Sequence, residues 1–196
     1  MALHKPAGEP RLRILFVSAE VAPYAKVGGL ADVAGSLPRA LRALGHDVRV
    51  IMPRHGCLDA ARHGLQPAHP GLAVALPGGP EPAGLLATTL AGGVPVLAVE
   101  SARYFDRQAV YDFPDDGERF LFFCRAVLEA AKGLGWQPDV VHCNDWHTAI
   151  IPYLLRTAYA GDPFYAGTAT ALSIHNLAYQ GIFDQGLLGR AGLGES

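Results

Sequence analysis

Short apolar runs alternate along the chain with segments of helical periodicity. The runs cover residues 14–17, 48–51, 140–143 and 171–174. They are short and rich in branched apolar side chains, as buried parallel strands tend to be. Helical patterns lie between several of them, over residues 30–44, 118–134 and 148–159. Such βαβ alternation predicts an α/β fold with a Rossmann-like, doubly wound and mostly parallel sheet.

The composition of the chain disfavours some classes of binding partner. Half of the 196 residues are hydrophobic and 17% are charged, which is typical of one globular domain. The net charge is −2 and there is no basic run, so neither nucleic acid nor a membrane surface is an expected partner. The chain has three cysteines and no CxxC spacing, which argues against a disulfide framework and favours a reducing, cytoplasmic location.

The domain boundaries are predicted from composition. Residues 1–12 are rich in Pro and Gly and lack the apolar core of a signal peptide, so we expect a loose leader before one domain over residues 13–196. Residues 186–196 show neither a finished strand nor a capped helix, and we expect the domain to be incomplete there. Residues 53–93 are rich in Gly and Pro. Weaker strand patterns in and after that segment, at 72–76, 85–90 and 94–99, predict a hairpin-like insertion that leads into an added strand.

A glycine pair, Gly28 and Gly29, separates the first predicted strand from the first predicted helix. A helix N-terminus leaves backbone N–H groups unpaired, and the helix dipole favours an anion beside them. Lys26 adds a positive charge at the same place. The alternative is an ordinary loop in which the glycines only turn the chain, and the spacing leaves both possibilities open. The loop lacks a GxGxxG pattern, which disfavours a dinucleotide-dependent dehydrogenase.

Polar residues follow three of the predicted strands. They are Lys26 to Gly29 after the first run, residues 144–147 after the third and residues 175–181 after the fourth. Ligands of open α/β sheets collect at the carboxyl ends of the strands. We therefore expect these loops to converge on one crevice.

Several of these residues belong to types that bind metal ions, namely His142, Asp145, His147 and His175. The spacing contains neither HExxH nor a carboxylate pair, so no metal site is predicted. Asp145 stands where it would cap the helical segment that follows it. Capping is therefore the main structural alternative to a functional role for Asp145.

His175 and Asn176 are less easily explained by structure alone, because a loop after a buried strand has little need of an imidazole. Their polar groups suit a ligand rich in hydroxyl groups. Tyr179 and Gln180 extend this polar edge, although a Tyr179 packed in the core is an equally good interpretation.

A second polar cluster precedes the predicted helix over residues 118–134. It consists of Tyr111, Asp115, Asp116 and Arg119. Acidic residues are common before and within the first turn of a helix, where they bind unpaired N–H groups. The pattern therefore favours a capped helix start exposed to solvent over a ligand site.

Three motifs resemble the bacterial glycogen synthase and plant starch synthase family. They are residues 18–33 (SAEVAPYAKVGGLADV), 142–149 (HCNDWHTA) and 173–181 (SIHNLAYQG). The resemblance implies the N-terminal half of a two-domain GT-B glycosyltransferase, with the second, nucleotide-binding domain absent here. It implies transfer of glucose from ADP-glucose to the non-reducing end of an α-1,4-glucan such as glycogen, with retention of configuration and no metal or other cofactor.

The resemblance also implies roles for individual residues. Residues similar to the family's donor-binding segment are Lys26, Gly28, Gly29 and Asp32. Residues similar to its catalytic positions beside the transferred sugar are Asp145, His175 and Asn176. Candidate sugar or acceptor contacts are Tyr111, His147, Tyr179 and Gln180.

The family's remaining cations and its acidic sugar-binding residue belong to the second domain. The resemblance therefore implies that this chain alone is inactive. Two alternatives stay open, a non-catalytic glucan-binding remnant and a related glycosyltransferase that uses UDP-sugars. The oligomeric state is not predicted.

Overall fold

The computed structural model describes residues 10–190, which form one seven-stranded sheet with helices on both faces. The strands are β1 (Arg13–Val17), β2 (Asp47–Pro53), β3 (Gln66–Val74), β4 (Glu81–Leu90), β5 (Val94–Glu100), β6 (Val140–Asn144) and β7 (Ala169–Ser173). Their order across the sheet is β3-β4-β5-β2-β1-β6-β7. All pairs from β5 to β7 are parallel, whereas β4 pairs antiparallel with both β3 and β5.

The helices are α1 (Gly29–Ala43), α2 (Ala102–Phe105), α3 (Asp116–Gly133), α4 (Ile151–Arg156) and α5 (Gly186–Arg190). Helix α1 continues through Pro38. The short helix α5 lies where the sequence predicts no finished element. Residues 1–9 of the predicted leader and residues 191–196 lie outside the described residues.

Strand β1 shows how the sheet is covered on both faces. Leu15 and Val17 are buried in a cluster that contains much of α3. Ile14 and Phe16 are buried in a second cluster that contains residues of α1 and β2. Because successive side chains of a strand point to opposite faces, each face of β1 contributes to its own core. The predicted doubly wound α/β fold is confirmed.

The predicted hairpin insertion is also confirmed. Strands β3 and β4 form an antiparallel hairpin, with Leu72 opposite Ala83. The added strand β5 pairs antiparallel with β4 and parallel with β2. The Gly- and Pro-rich segment therefore extends the sheet on the side away from β6 and β7.

Two predictions near the other edge need correction. The helix predicted over residues 148–159 is a 3-10 turn (Trp146–Thr148) followed by the short helix α4. Pro152 lies in the first turn of α4, because a proline without N–H is tolerated there and not in a helix interior. Strand β7 is predicted to be buried, but its first four residues are exposed, and no described strand pairs with its outer side.

Two further findings concern the environment of the chain. Cys57 is exposed and free, and Cys124 and Cys143 are buried and free. Within residues 10–190, no helix has both the length and the apolar composition that crossing a membrane requires.

Candidate functional site

The carboxyl ends of β1, β6 and β7 lie side by side at one edge of the sheet. Val17 is level with Cys143, and Asn144 is level with Ser173. The Nδ2 group of Asn144 donates to the Val17 carbonyl at 3.0 Å, which ties the ends of β6 and β1 together. The ends of the three strands therefore meet at one edge, as predicted, and the loops that follow them begin there.

In the loop after β1, two backbone N–H groups bind a carboxylate of the protein itself. Val27 N–H and Gly28 N–H donate to Oε2 of Glu20 at 2.5 and 3.0 Å. The other oxygen, Oε1, accepts a hydrogen bond from the Tyr111 hydroxyl at 2.7 Å. Glu20 is only 3% exposed. The sequence prediction of free N–H groups at this loop is therefore wrong for Val27 and Gly28, and it overlooks Glu20.

Glu20 is expected to stabilise both the loop and the fold. Replacement by Ala removes the acceptor of two loop N–H groups and of the half-buried Tyr111 hydroxyl, so we expect the free energy of unfolding to fall by about 1–3 kcal/mol. Glu20→Gln keeps one acceptor oxygen for the loop, and its NH₂ can donate to the Tyr111 oxygen, so the loss is expected to be about half as large. Urea unfolding measures both values, and hydrogen exchange of the Val27 and Gly28 amides reports the loop directly.

The exposed carboxylate of Asp32, in the first turn of α1, provides the control beside this loop. Asp32→Asn removes a charge that is well solvated, so its effect is expected within about 0.5 kcal/mol. Equal effects of Glu20→Ala and Asp32→Asn would contradict the stabilising role of Glu20.

Lys26 and Asp32 form an ion pair on the surface of the glycine loop. The Nζ atom of Lys26 lies 2.6 and 2.8 Å from the two carboxylate oxygens of Asp32. Both side chains are exposed. The ammonium group is therefore held beside the first turn of α1 while staying accessible to solvent.

The glycines of this loop are not explained by packing or by a turn. A Cβ atom added to Gly28 or Gly29 would meet no atom within 4 Å. Gly28 has a φ of −136°, which any residue can adopt. The alternative in which these glycines only turn the chain is therefore not supported. They leave an open backbone surface at the N-terminus of α1, and no side chain caps that helix.

Asp145 connects the end of β6 to the loop after β7. Its backbone N–H donates to the Ser173 carbonyl at 2.9 Å, and its Oδ1 accepts from the His175 N–H at 2.6 Å. The side chain makes no capping bond, so the capping prediction is wrong. The carboxylate is bound to the neighbouring loop instead. The backbone has φ 56° and ψ −178°, a conformation that is strained for any residue except glycine.

The strain at Asp145 predicts an unusual order of variant stabilities. Asp145→Ala and Asp145→Gly both lose the bond to the His175 N–H, but only the alanine keeps the backbone strain. We therefore expect the Gly variant to be about 1–2 kcal/mol more stable than the Ala variant, the reverse of the usual preference in helices and strands. Urea unfolding of the two proteins measures the difference. A more stable Ala variant would show that the conformation is not strained.

The other residues after β7 form the exposed side of the site. His175 is exposed, and its Nε2 lies 2.9 Å from Oδ1 of the buried Asn144. Asn176 accepts the Ala178 N–H at 3.0 Å and so shapes a turn. Tyr179 is 70% exposed, so the core-packed interpretation is wrong. Gln180 donates to the Leu177 carbonyl at 3.0 Å.

An aromatic cluster lies beneath Tyr111. The ring of His147 stacks on Tyr111 with centroids 4.6 Å apart and lies 4.1 Å from the Trp146 ring. His147 is 8% exposed, and burial lowers its pKa to about 3, so the ring is neutral at pH 7. Burial and the charge of Glu20 raise the pKa of Tyr111, which keeps the phenol protonated as a donor to Glu20. Tyr111 thus links the aromatic cluster to the glycine loop.

Two members of the polar cluster at the start of α3, Asp116 and Arg119, are buried, in contrast to the sequence prediction, whereas the Asp115 side chain stays partly exposed. The side chain of Arg119 has 0% exposure and pairs with Asp116. Its Nε donates to the Tyr104 carbonyl at 2.7 Å. Asp115 makes no capping bond and instead pairs with Arg107 at 2.6 Å. The acidic residues here bind arginines because the segment before α3 folds back over the helix start.

Residues 10–190 contain no group of three or more His, Cys, Asp or Glu side chains that could hold a metal ion. The chemistry that the site does offer is of two kinds. The open N-terminus of α1, with Lys26 beside it, suits an anion. The polar groups of Asp145 and His175 suit the hydroxyl groups of a neutral ligand.

Comparisons with known proteins identify the family of the chain. Residues 13–196 match the family model of the starch synthase catalytic domain. Glycogen synthase 2 of Geobacter sulfurreducens is 46% identical over 187 residues, which cover 93% of this chain and 38% of that protein. A glycogen synthase of Desulforudis audaxviator is also 46% identical, over 197 residues, with 94% and 38% covered.

A solved structure is similar as well. The catalytic domain of starch synthase IV from Arabidopsis thaliana, bound to ADP and acarbose, matches with a TM-score of 0.85 and 33% identity. The match covers 94% of this chain and 38% of that one. The chain thus spans well under half of the length of the proteins it resembles.

Proposed function

The chain belongs to the starch synthase catalytic-domain family, and we propose that it forms the N-terminal part of the catalytic unit of a glycogen synthase. The proposed reaction transfers glucose from ADP-glucose to the non-reducing end of an α-1,4-glucan, with retention at the anomeric carbon. The observation that carries the proposal is the open glycine surface at α1, on the loop after β1, whose end lies beside those of β6 and β7.

The proposed place of the donor diphosphate is the N-terminus of α1. Gly28 and Gly29 allow phosphate oxygens to approach the backbone closely, because neither carries a side chain on the open surface. Lys26 supplies the positive charge, and Asp32 holds its ammonium group beside the first turn. The ADP bound in the Arabidopsis starch synthase structure supports a nucleoside diphosphate as the ligand class.

The proposed place of the transferred glucose is beside Asp145, His175 and Asn176. Oδ1 of Asp145 is bound to the His175 N–H, which leaves Oδ2 to accept from a sugar hydroxyl. As the glycosidic bond to the diphosphate breaks, negative charge grows on the leaving phosphate. The helix dipole and Lys26 stabilise that charge without having to reorganise. Tyr111 borders this region through its contacts with His147 and Glu20.

Lys26 provides the test of the proposed function. In the full-length protein that carries this chain, Lys26→Ala is expected to lower kcat/KM for ADP-glucose about 10²- to 10³-fold, with glycogen as the acceptor. Lys132→Ala is the matched control, because Lys132 forms a similar surface ion pair, with Asp162, but near the C-terminal end of α3. Its activity is expected to be unchanged.

The outcomes separate the alternatives. Full activity of Lys26→Ala would refute the diphosphate assignment. Transfer from UDP-glucose but not from ADP-glucose would identify a different donor. Binding of glycogen without transfer from either donor would favour a glucan-binding protein. We also expect this chain alone to transfer no glucose, because a diphosphate at an open half-site keeps its water and is poorly stabilised.

A further inference from the structure

Three contacts define the orientation of the buried Asn144 side chain. Its Nδ2 lies 3.0 Å from the Val17 carbonyl oxygen and 3.2 Å from the His142 carbonyl oxygen. Carbonyl oxygens only accept hydrogen bonds, so the atom facing them must be the NH₂ group. The oxygen Oδ1 therefore faces the other way, toward Nε2 of His175 at 2.9 Å.

The orientation of Asn144 determines the tautomer of His175. Oδ1 of an asparagine can only accept, so Nε2 of His175 must carry the proton that is donated to it. In the neutral imidazole, Nδ1 then has a lone pair and no proton. The same residue is held at its backbone by the Asp145 carboxylate, 2.6 Å from the His175 N–H. His175 is thus held at two points: its ring at Nε2 and its backbone at the N–H group.

We infer that Asn144 is a positioning residue: it holds the proton of the His175 ring at Nε2, so that Nδ1 is the atom left to accept a hydrogen bond from the ligand. Such a ring binds a group that donates, such as a sugar hydroxyl. It disfavours an anionic oxygen, because two lone pairs then face each other. The identity of the ligand as a nucleotide sugar rests on the proposed function, whereas the tautomer follows from the contacts of Asn144 alone.

Asn144→Ser tests the inference in the full-length protein. A serine keeps a small polar group at the strand end, but it has no amide oxygen and is too short to reach His175. Ser173→Ala is the matched control. It removes the 2.8 Å contact between Ser173 Oγ and His142 Nε2, at the same sheet edge, without touching His175.

The first measurement is a ¹⁵N NMR spectrum of the histidine rings, with His175 assigned from a His175→Gln variant. We expect only the Nε2–H tautomer in the unmodified protein and in Ser173→Ala, and a mixture of both tautomers in Asn144→Ser. A protonated Nδ1 in the unmodified protein, or an unchanged spectrum in Asn144→Ser, would overturn the inference. This readout does not depend on catalysis, so it stands even if the protein transfers no sugar.

The second measurement is the preference for ADP-glucose over ADP-glucuronic acid, in which a carboxylate replaces a hydroxymethyl group. We expect the unmodified protein to have a higher kcat/KM for ADP-glucose than for ADP-glucuronic acid. This preference is expected to fall at least tenfold in Asn144→Ser, because a His175 ring that is not bound to Asn144 can turn an N–H group toward an anion. It is expected to stay unchanged in Ser173→Ala. If Asn144→Ser alters the tautomers of His175 but leaves the preference for ADP-glucose unchanged, the ring does not select between a hydroxyl group and an anion. Absence of transfer from any donor would refute the proposed function and leave the tautomer result to decide the positioning role.

Discussion

Acidification from pH 6.5 to 4.5 is expected to lower the free energy of unfolding by roughly 2 kcal/mol for each of two buried histidines. His55 is fully buried, its Nε2 lies 2.9 Å from the Ala19 carbonyl, and burial lowers its pKa to about 4. Burial lowers the pKa of His147 to about 3. In the unfolded chain both rings regain a pKa of about 6.5.

The sign of the effect follows from these values. As the pH falls below about 6.5, the unfolded chain binds protons that the folded protein does not bind. The free energy of unfolding therefore decreases. The decrease continues to about pH 4 for His55 and about pH 3 for His147. The pKa of Asp115 is lowered by its pairing with Arg107, so its contribution is lost mainly below pH 4, outside this window.

Urea unfolding at pH 6.5, 5.5 and 4.5 measures this dependence. His147→Phe keeps a flat ring for stacking against Tyr111 and removes one titrating group. Burial also lowers the pKa of the half-buried His142, so His55 is not the only other group that titrates in this range. The stability loss of His147→Phe is therefore expected to be smaller than that of the unmodified protein by about 2 kcal/mol. A stability that stays constant between pH 6.5 and 4.5 would show that the two rings are not held neutral in the folded state.

Arg119→Ala is expected to lower the free energy of unfolding by about 3–5 kcal/mol, the largest effect of any single substitution considered for this protein. The guanidinium group is buried, pairs with Asp116 and donates to the Val110 carbonyl at 3.3 Å. Its removal leaves the buried Asp116 carboxylate without its cation. That carboxylate also accepts the Asp112 N–H at 2.9 Å, so the segment before α3 is expected to loosen as well.

A double-mutant cycle separates the ion pair from the packing. Arg119→Met fills much of the same volume, and Asp116→Asn keeps an oxygen for the loop N–H groups. If the pair is coupled, the double variant loses at least about 1 kcal/mol less than the sum of the two single variants. Simple additivity would show that Arg119 stabilises through its packing and its bonds to the Tyr104 and Val110 carbonyls, without a contribution from Asp116. Unfolding by urea with an unchanged m-value makes the four proteins comparable.

The sheet and the convergence of its loops could be predicted because both depend on local patterns. An apolar run of four residues marks each of the central parallel strands β1, β2 and β6, and the carboxyl ends of parallel strands meet at one edge. The hairpin of β3 and β4 was predictable on the same grounds. The exposure of β7 was not, because burial depends on what lies beside a strand and not on its own sequence.

The contacts made by individual side chains could not be predicted. Glu20 and Tyr111 are 91 residues apart in sequence, and no local pattern indicates that a carboxylate reaches back to the glycine loop. The acidic residues before α3 have the pattern of a helix cap, yet they bind arginines of the folded segment. Asp145 likewise has the sequence position of a cap, and its left-handed backbone is visible only in the structure.

The carboxylate of Glu20 also affects the entropy of ligand binding. It fixes the loop from Lys26 to Gly29 through Val27 and Gly28, so the conformational freedom of that loop is lost when the chain folds. A ligand that arrives later does not have to order the loop, and its affinity is not reduced by that cost.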